Sequence, residues 1–436
     1  MPVSINEYPI VSNHKLFQEL VEKEFERTGG IFRLAPTWVG RPGIIVPGRR
    51  IKLEDIYMNQ VVAVNERWLA SVTFANNGMY NSVCPADHGL SYVIIDHYKL
   101  LLKDLLEEYS YQLLGQRKNW DVLAKFFDNN GRIPSHLHPC QQHVKPGLVG
   151  KPESYHFPRE LNINPNNDPR TTIGIDPSIS DAEILDHLRI YKKGNNRLTD
   201  LGCIYNIIPG TGYYMPPCTL HGPGSLVTYE LQVASDVSCI PESRVNDQVM
   251  PVDMVDRDLP VNFEQDGDDV VYQYILSMIR CPNSGNTLSF RKEYFRPPVL
   301  VLSNNNGFQD YVIYRTGKAS EPINPDLYSA KHTLVFSGKS FEIHEKAAFG
   351  IIVLGGFGFI QVPGKEAVPL ENVGFFPFRS TLGGDEVFIS YEAASHLIFK
   401  TQSLEDLSVY QHFASQSNPE AASLPIPQTE RKSFNS

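Results

Sequence analysis

From about Pro298 the chain breaks into short apolar runs: VLVLSN, YVIYRTG, HTLVFSG, KSFEIH, FGIIVLGGFGFIQV, FFPFRS and VFISYE, with Gly, Pro and Asn between them. A run that short cannot cover its own apolar side chains. Several must share one core, and their spacing predicts a small sandwich or barrel. The 32 prolines and 31 glycines then serve as loop punctuation in a mainly β protein. The LGGFGF run at 354–359 lacks both the GxGxxG order and a following helix, so it predicts a tight β-turn and not a nucleotide loop.

Helical patterns lie upstream. Asn13 is placed to cap a helix in which Leu16, Phe17, Leu20, Val21 and Phe25 recur at helical spacing, closed by Gly29-Gly30. The strongest stripe runs from Tyr98 to Leu114, with Gly115 as its stop. Ser180 and Glu183 form a capping box ahead of Ile184, Leu185 and Leu188, and a DGDD start predicts a helix over Asp268 to Met278. GIIVPGRRIKL, QVVAVNERWLASVTF and the stretch after Trp120 read as extended, the last ending in the DNNG turn at Asp128 to Gly131. The expected organisation is a flanking helix with strands over 1–60, a central unit with helical insertions over 61–300, a C-terminal β unit over 301–414 and a loose polar tail over 415–436.

Composition narrows the function classes. The 436 residues carry a net charge of −10, with 42% hydrophobic and 20% charged residues, so a large core is available and no basic stripe offers itself to nucleic acid. No run of 18 apolar residues suggests a membrane span, and MPVSINEYPIV has no secretory pattern. Cys84, Cys140, Cys203, Cys218, Cys239 and Cys281 are scattered without a CxxC and read as reduced thiols. The expectation is a cytoplasmic protein that binds neither nucleic acid nor membrane; its oligomeric state is not legible.

The chemistry concentrates between Gly131 and His221. In GRIPSHLHP, His136 and His138 are separated by one residue, so on a strand both imidazoles point to one face. Glu153 follows fifteen residues after His138 and can arrive from a neighbouring strand. His221 supplies a third imidazole after a glycine turn and a PxxxxH segment. Three neutral imidazoles and a carboxylate suit zinc, nickel or iron with positions left open for substrate; the plainer alternative is a pair of half-buried strand histidines. Lys151 shares a strand face with Glu153, where a nearby cation would lower its pKa and Glu153 would oppose that. Glu230 is either a pocket carboxylate or half of a structural ion pair. His143 reads as a surface or supporting residue, and His88 and His344 as structural.

These segments resemble the paired motifs of the cupin superfamily, with Cys218 where the second motif usually has glycine and Ser225 where it usually has asparagine. The long gap before Glu153 is similar to that of type I mannose-6-phosphate isomerases. Glu66-Arg67-Trp68 resembles that family's early ExW segment, VLAKFFDNNGRIPSHLHP its strand leading to a QxHP element, KPESYHF its KPE element, and YELQVASD its strand after the last histidine. The resemblance spans about residues 60 to 400. It implies a bicupin of two double-stranded β-helix (jelly-roll) barrels with flanking helices, the metal in the central one.

Carried over residue by residue, the resemblance implies His136, His138, Glu153 and His221 as metal ligands and Lys151 in the pocket wall. The isomerases carry an arginine shortly after the SD pair. Here Ser235-Asp236 is followed by VSCI, and the next arginine is Arg244, which becomes the candidate for that role. The leading function is a metal-dependent aldose–ketose isomerase acting on a sugar or sugar phosphate, with Lys151 or Glu230 as the base, and zinc as the first choice of metal. The alternatives are an iron-dependent cupin dioxygenase and a sugar-binding cupin without turnover, which the displaced arginine favours.

Overall fold

The computed structural model describes residues 8–48, 64–116, 119–163, 169–304, 307–321, 323, 326–372, 382–401 and 404–414. The tail from Ser415, the FFPFRS run and most of GRRIKL lie outside the described residues.

Two large antiparallel sheets form the body. The seven-stranded sheet runs in the order Phe295–Arg296, Gly212–Met215, Glu153–His156, Thr228–Val233, Val122–Phe127, Val64–Leu69, Thr37–Gly40. The nine-stranded sheet gathers C-terminal strands, from Val299–Asn304 to Glu386–Ile389, and continues into Ile31–Leu34, Tyr92–Ile95 and Tyr98–Leu101. Its seam pairs Ile31 with Ile389 and Leu34 with Glu386. The segment expected to flank the core therefore supplies a strand to each large sheet.

Side-chain alternation gives the central strands two jobs. Val64–Leu69 and Val122–Phe127 are buried along their whole length, so both of their faces are covered. One face, through Tyr229 and His156, meets the nine-stranded sheet: their rings lie 4.8 and 5.5 Å from that of Tyr410. Arg67, on the same face, donates to the carbonyls of Leu382, Gly383 and Gly384. The opposite face carries Glu66, Lys125, Glu153, Tyr155 and Glu230, all lining a cleft. The short sheet of His221–Gly222, Arg170–Ile175 and Gly202–Asn206 brings His221 to this side.

The helix boundaries follow their caps. Asn13 Oδ1 accepts from the Leu16 amide at the start of His14–Thr28, and Gly29 ends that helix with φ 75°. Ser180 accepts from the Glu183 amide ahead of Asp181–Leu188, and the third expected helix spans Asp268–Ile279. The last two pack with Leu137, Cys218 and Cys239 into a second apolar core. The glycine run after Leu354 is a tight turn: Gly356 has φ 77°, and a Cβ there would lie 1.9 Å from the Asp406 carbonyl oxygen.

The Tyr98–Leu114 stripe is not one helix. Tyr98–Leu101 is a strand paired with Tyr92–Ile95 across a turn in which Asp96 has φ 52°, followed by helices Leu102–Glu108 and Ser110–Leu114 with a break at Tyr109. The hairpin turn overrode the helical period, while Leu102, Leu105, Leu106 and Leu113 are buried as the stripe required.

Candidate metal centre

His136, His138, Glu153 and His221 converge. One ligand atom from each lies within 4.8 Å of the others. The HxH segment is extended but belongs to none of the sheets: His136 bridges to His221, and Leu137 to Cys239. Two backbone hydrogen bonds of 2.8 Å between His136 and His221 hold those imidazoles side by side, with ring centroids 4.1 Å apart. Glu153 opens the strand Glu153–His156, paired with Met215 on one side and Gln232 on the other.

The tautomers follow from the backbone. His136 Nδ1 lies 2.8 Å from the Pro134 carbonyl, His138 Nδ1 2.7 Å from that of Val237, and His221 Nδ1 2.9 Å from that of Thr219. A carbonyl only accepts, so each Nδ1 carries the hydrogen and each Nε2 keeps its lone pair. His138 Nε2 then sits 2.9 Å from Glu153 Oε2, and His221 Nε2 2.8 Å from Oε1. Among the described residues, neither Nε2 nor Oε1 has a hydrogen-bond partner. Lone pairs facing carboxylate oxygens at that range repel unless a cation lies between them, so this donor set fits a divalent metal.

The electrostatics agree. Burial, with help from the neighbouring imidazoles, holds His136 well below the ordinary imidazole range, and burial lowers His138 to about 4. Burial opposes the charge of Glu153, but His138 and Lys151 outweigh it and keep the carboxyl well below its usual value.

Beside His136, His138 and Glu153 opens a cleft of about 620 Å3, counting the space open to solvent at its mouth. Its wall alternates charge. Lys151 Nζ is 3.0 Å from Glu153 Oε2 and 3.4 Å from Glu230 Oε1, while Lys125 Nζ is 3.3 Å from Glu230 Oε2 and 3.8 Å from Glu66 Oε2. Arg41 meets both oxygens of Asp236 at 2.9 Å and Glu66 at 3.1 Å. Burial raises Glu230 to about 7, with Lys125 opposing and Glu153 adding to the rise. Burial works against charge on Lys151, but Glu153 and Glu230 raise its pKa above the ordinary lysine value. Among the protein's own charges the lowering expected for Lys151 is thus reversed.

Arg244 is not part of this cleft. It is exposed on a two-stranded hairpin, Arg244–Val245 with Gln248–Val249, whose Asn246 and Asp247 both have positive φ. Among the described residues, the guanidiniums that line the cleft belong to Arg41 and Arg257. Arg257 packs against Ser238 Oγ at 3.0 Å and Asp258 at 3.4 Å, and is only partly buried. Neither arginine stood out in the sequence. Lys125 left a trace, as the one charge inside the apolar run VLAKFF. His88 Nε2 accepts from the Gly40 amide at 3.3 Å, and His344 Nδ1 lies 2.8 Å from the Ser395 carbonyl, both outside the buried group; His344 shares an exposed cluster with Glu342 and His396.

No protein-family model and no curated protein matches the chain. Solved structures do. The mannose 6-phosphate isomerase from Bacillus subtilis is similar at a TM-score of 0.58 and 15% identity, over 88% of this chain and 99% of that one. A variant of the phosphomannose isomerase from Salmonella typhimurium gives 0.56 and 11%, and a zinc-bound mannose 6-phosphate isomerase 0.55 and 11%, each over 88% and 99% of the two chains. Sequence identity this low speaks to architecture alone: the chain has the mainly β cupin fold of the type I phosphomannose isomerases.

Proposed function

We propose that this protein is a metal-dependent aldose–ketose isomerase acting on a sugar phosphate, with 61–300 as the metal-binding cupin unit and 301–414 as a second, cupin-like one. The observation that carries the reading is the unsatisfied Nε2 atoms of His138 and His221 aimed at Glu153, beside a carboxylate poised near neutrality. Zinc suits three imidazoles and a carboxylate, and one of the structures of similar fold is zinc-bound.

His136, His138, Glu153 and His221 would hold a divalent cation, which would supply Lewis acidity toward the carbonyl of an α-hydroxy carbonyl substrate. Glu230 is the base: raised to about 7, it can take a proton from the carbon beside the carbonyl and return it to the neighbouring carbon. Lys151, held charged, stabilises negative charge on substrate oxygen and is not the base. Lys125 fixes the Glu230 carboxylate from the other side. Arg257, partly buried with donors to spare, meets the phosphate, whereas Arg41 is occupied by Asp236 and Glu66 and holds the wall.

The test is elemental analysis of the purified protein followed by a panel of phosphorylated and free aldose–ketose pairs. Turnover of at least one pair, lost to chelator and restored by zinc, is the expected result. Full metal occupancy with no turnover across the panel overturns the isomerase, and oxygen uptake by the ferrous protein would point to a dioxygenase instead.

A further inference from the structure

A second group of metal-binding side chains lies behind the first. Cys140 Sγ, Cys218 Sγ and Cys281 Sγ all lie within 4.8 Å of one another. His143 lies beside them, its Nδ1 2.9 Å from Cys140 Sγ and 3.8 Å from Cys218 Sγ, though not within 4.8 Å of all three sulfurs. All three thiols are free, and they come from separate parts of the chain. Cys140 precedes the short turn Gln141–His143, Cys218 sits in the turn ahead of His221, and Cys281 follows the helix Asp268–Ile279.

Two features set this group apart from a chance meeting of thiols. Cys218 has φ 63°, a left-handed backbone that a side chain bearing Cβ rarely adopts. The conformation is over-determined: the Cys218 amide donates to the His138 carbonyl at 2.7 Å, and Asn286 Nδ2 donates to the Cys218 carbonyl at 2.9 Å. A strained backbone locked in this way, at the position where a thiol joins two others, points to use of that thiol. The second feature is His143, whose ring stands edge-on to Tyr274 at 5.5 Å with its Nδ1 turned to the sulfurs. Three sulfurs supply three corners of a tetrahedron, whose sulfur–sulfur edges are about 3.8 Å for Zn–S bonds of about 2.3 Å, and the His143 imidazole completes it on a small movement toward Cys281.

We propose that Cys140, Cys218, Cys281 and His143 bind a second, structural divalent ion of zinc type. With four protein ligands the site is closed and leaves no position for substrate. It would pin the end of the Asp268–Ile279 helix to the two segments that carry His138 and His221, two residues before Cys140 and three after Cys218. This site stands independently of the isomerase reading, because it uses none of the same ligands.

Cobalt distinguishes the two sites, since thiolate ligands give cobalt an intense near-ultraviolet charge-transfer band and imidazole with carboxylate does not. Purified full-length protein loaded with cobalt is expected to show that band. Glu153→Gln should keep it, and Cys281→Ser should lose it while circular dichroism shows the fold intact. Because Cys218 holds a left-handed turn, Cys281→Ser is the deciding variant. Absence of the band from cobalt-saturated wild type overturns the site, as does a Cys140–Cys218 disulfide in the freshly purified, metal-free protein mapped without reductant.

Discussion

Lys125 stands directly across from Glu230 in the antiparallel pairing of Val122–Phe127 with Thr228–Val233, its Nζ 3.3 Å from Glu230 Oε2. On the next strand Tyr155 is the register partner of Glu230, and Lys151 reaches the other carboxylate oxygen at 3.4 Å. A carboxylate clasped by two ammonium groups would ordinarily ionise at low pH. Burial and Glu153 reverse that and place it near neutrality.

Glu230→Gln removes the base and keeps the shape. The expected loss in kcat/KM is about 100- to 10,000-fold, with metal content unchanged. In the wild type kcat/KM should rise with pH through about 7, because the base acts deprotonated, and the variant should lack that limb. A pH profile that is flat from mildly acidic to mildly basic conditions would exclude Glu230 as the base.

Glu153→Gln tests the metal. Replacing a ligand should cost more than the roughly 10- to 100-fold in affinity that loss of a supporting residue costs. Competition with a chromophoric chelator measures it. Unchanged zinc affinity would remove Glu153 from the ligand set.

Arg257→Ala tests the phosphate contact. A charged hydrogen bond lost at a partly buried site corresponds to about 10- to 100-fold in KM for a phosphorylated substrate. Turnover of an unphosphorylated analogue should change far less. Equal effects on both would assign Arg257 to the wall and not to the phosphate.

Acid should destabilise the fold through two buried histidines that are not among the proposed ligands, His156 and His412. Burial lowers both to about 3, so they are neutral in the folded chain. Below the unfolded value of about 6.5 the unfolded chain takes up protons that the folded one refuses. Their contribution is therefore whole above that pH and declines as pH falls toward about 3, by up to about 1.4 kcal/mol per pH unit for each histidine. Urea midpoints at neutral and mildly acidic pH measure the slope, and His412→Gln should flatten it. Gly350 leaves the room His412 occupies, since a Cβ there would lie 2.1 Å from its Nε2.

The convergence of the candidate ligands was partly legible because their spacing is local. His136 and His138 share a face by alternation, and Lys151 and Glu153 share a strand end, so the sequence pairs them before any fold is known. The helix caps at Asn13 and Ser180 were legible for the same reason. Arg257 was not, because the turn Asp253–Asp256 folds it back beside Ser238, and no periodicity announces that return. Arg244 misled through the opposite error: it lies close in sequence to Asp236, but a hairpin of its own carries it outward. Tyr98–Leu114 was misread at its front because one left-handed residue, Asp96, outweighs four leucines in setting direction.

The seam between Ile31–Leu34 and Glu386–Ile389 bears on biosynthesis. A ribosome emits the first strand long before its partner, roughly 350 residues later, and pairings of such span are slow to close. Until Glu386–Ile389 has been made, one edge of Ile31–Leu34 stays open while the other has Tyr92–Ile95, an arrangement that exposes a strand edge to mispairing. Loss of Glu386–Ile389 would leave Ile31–Leu34 paired with Tyr92–Ile95 alone.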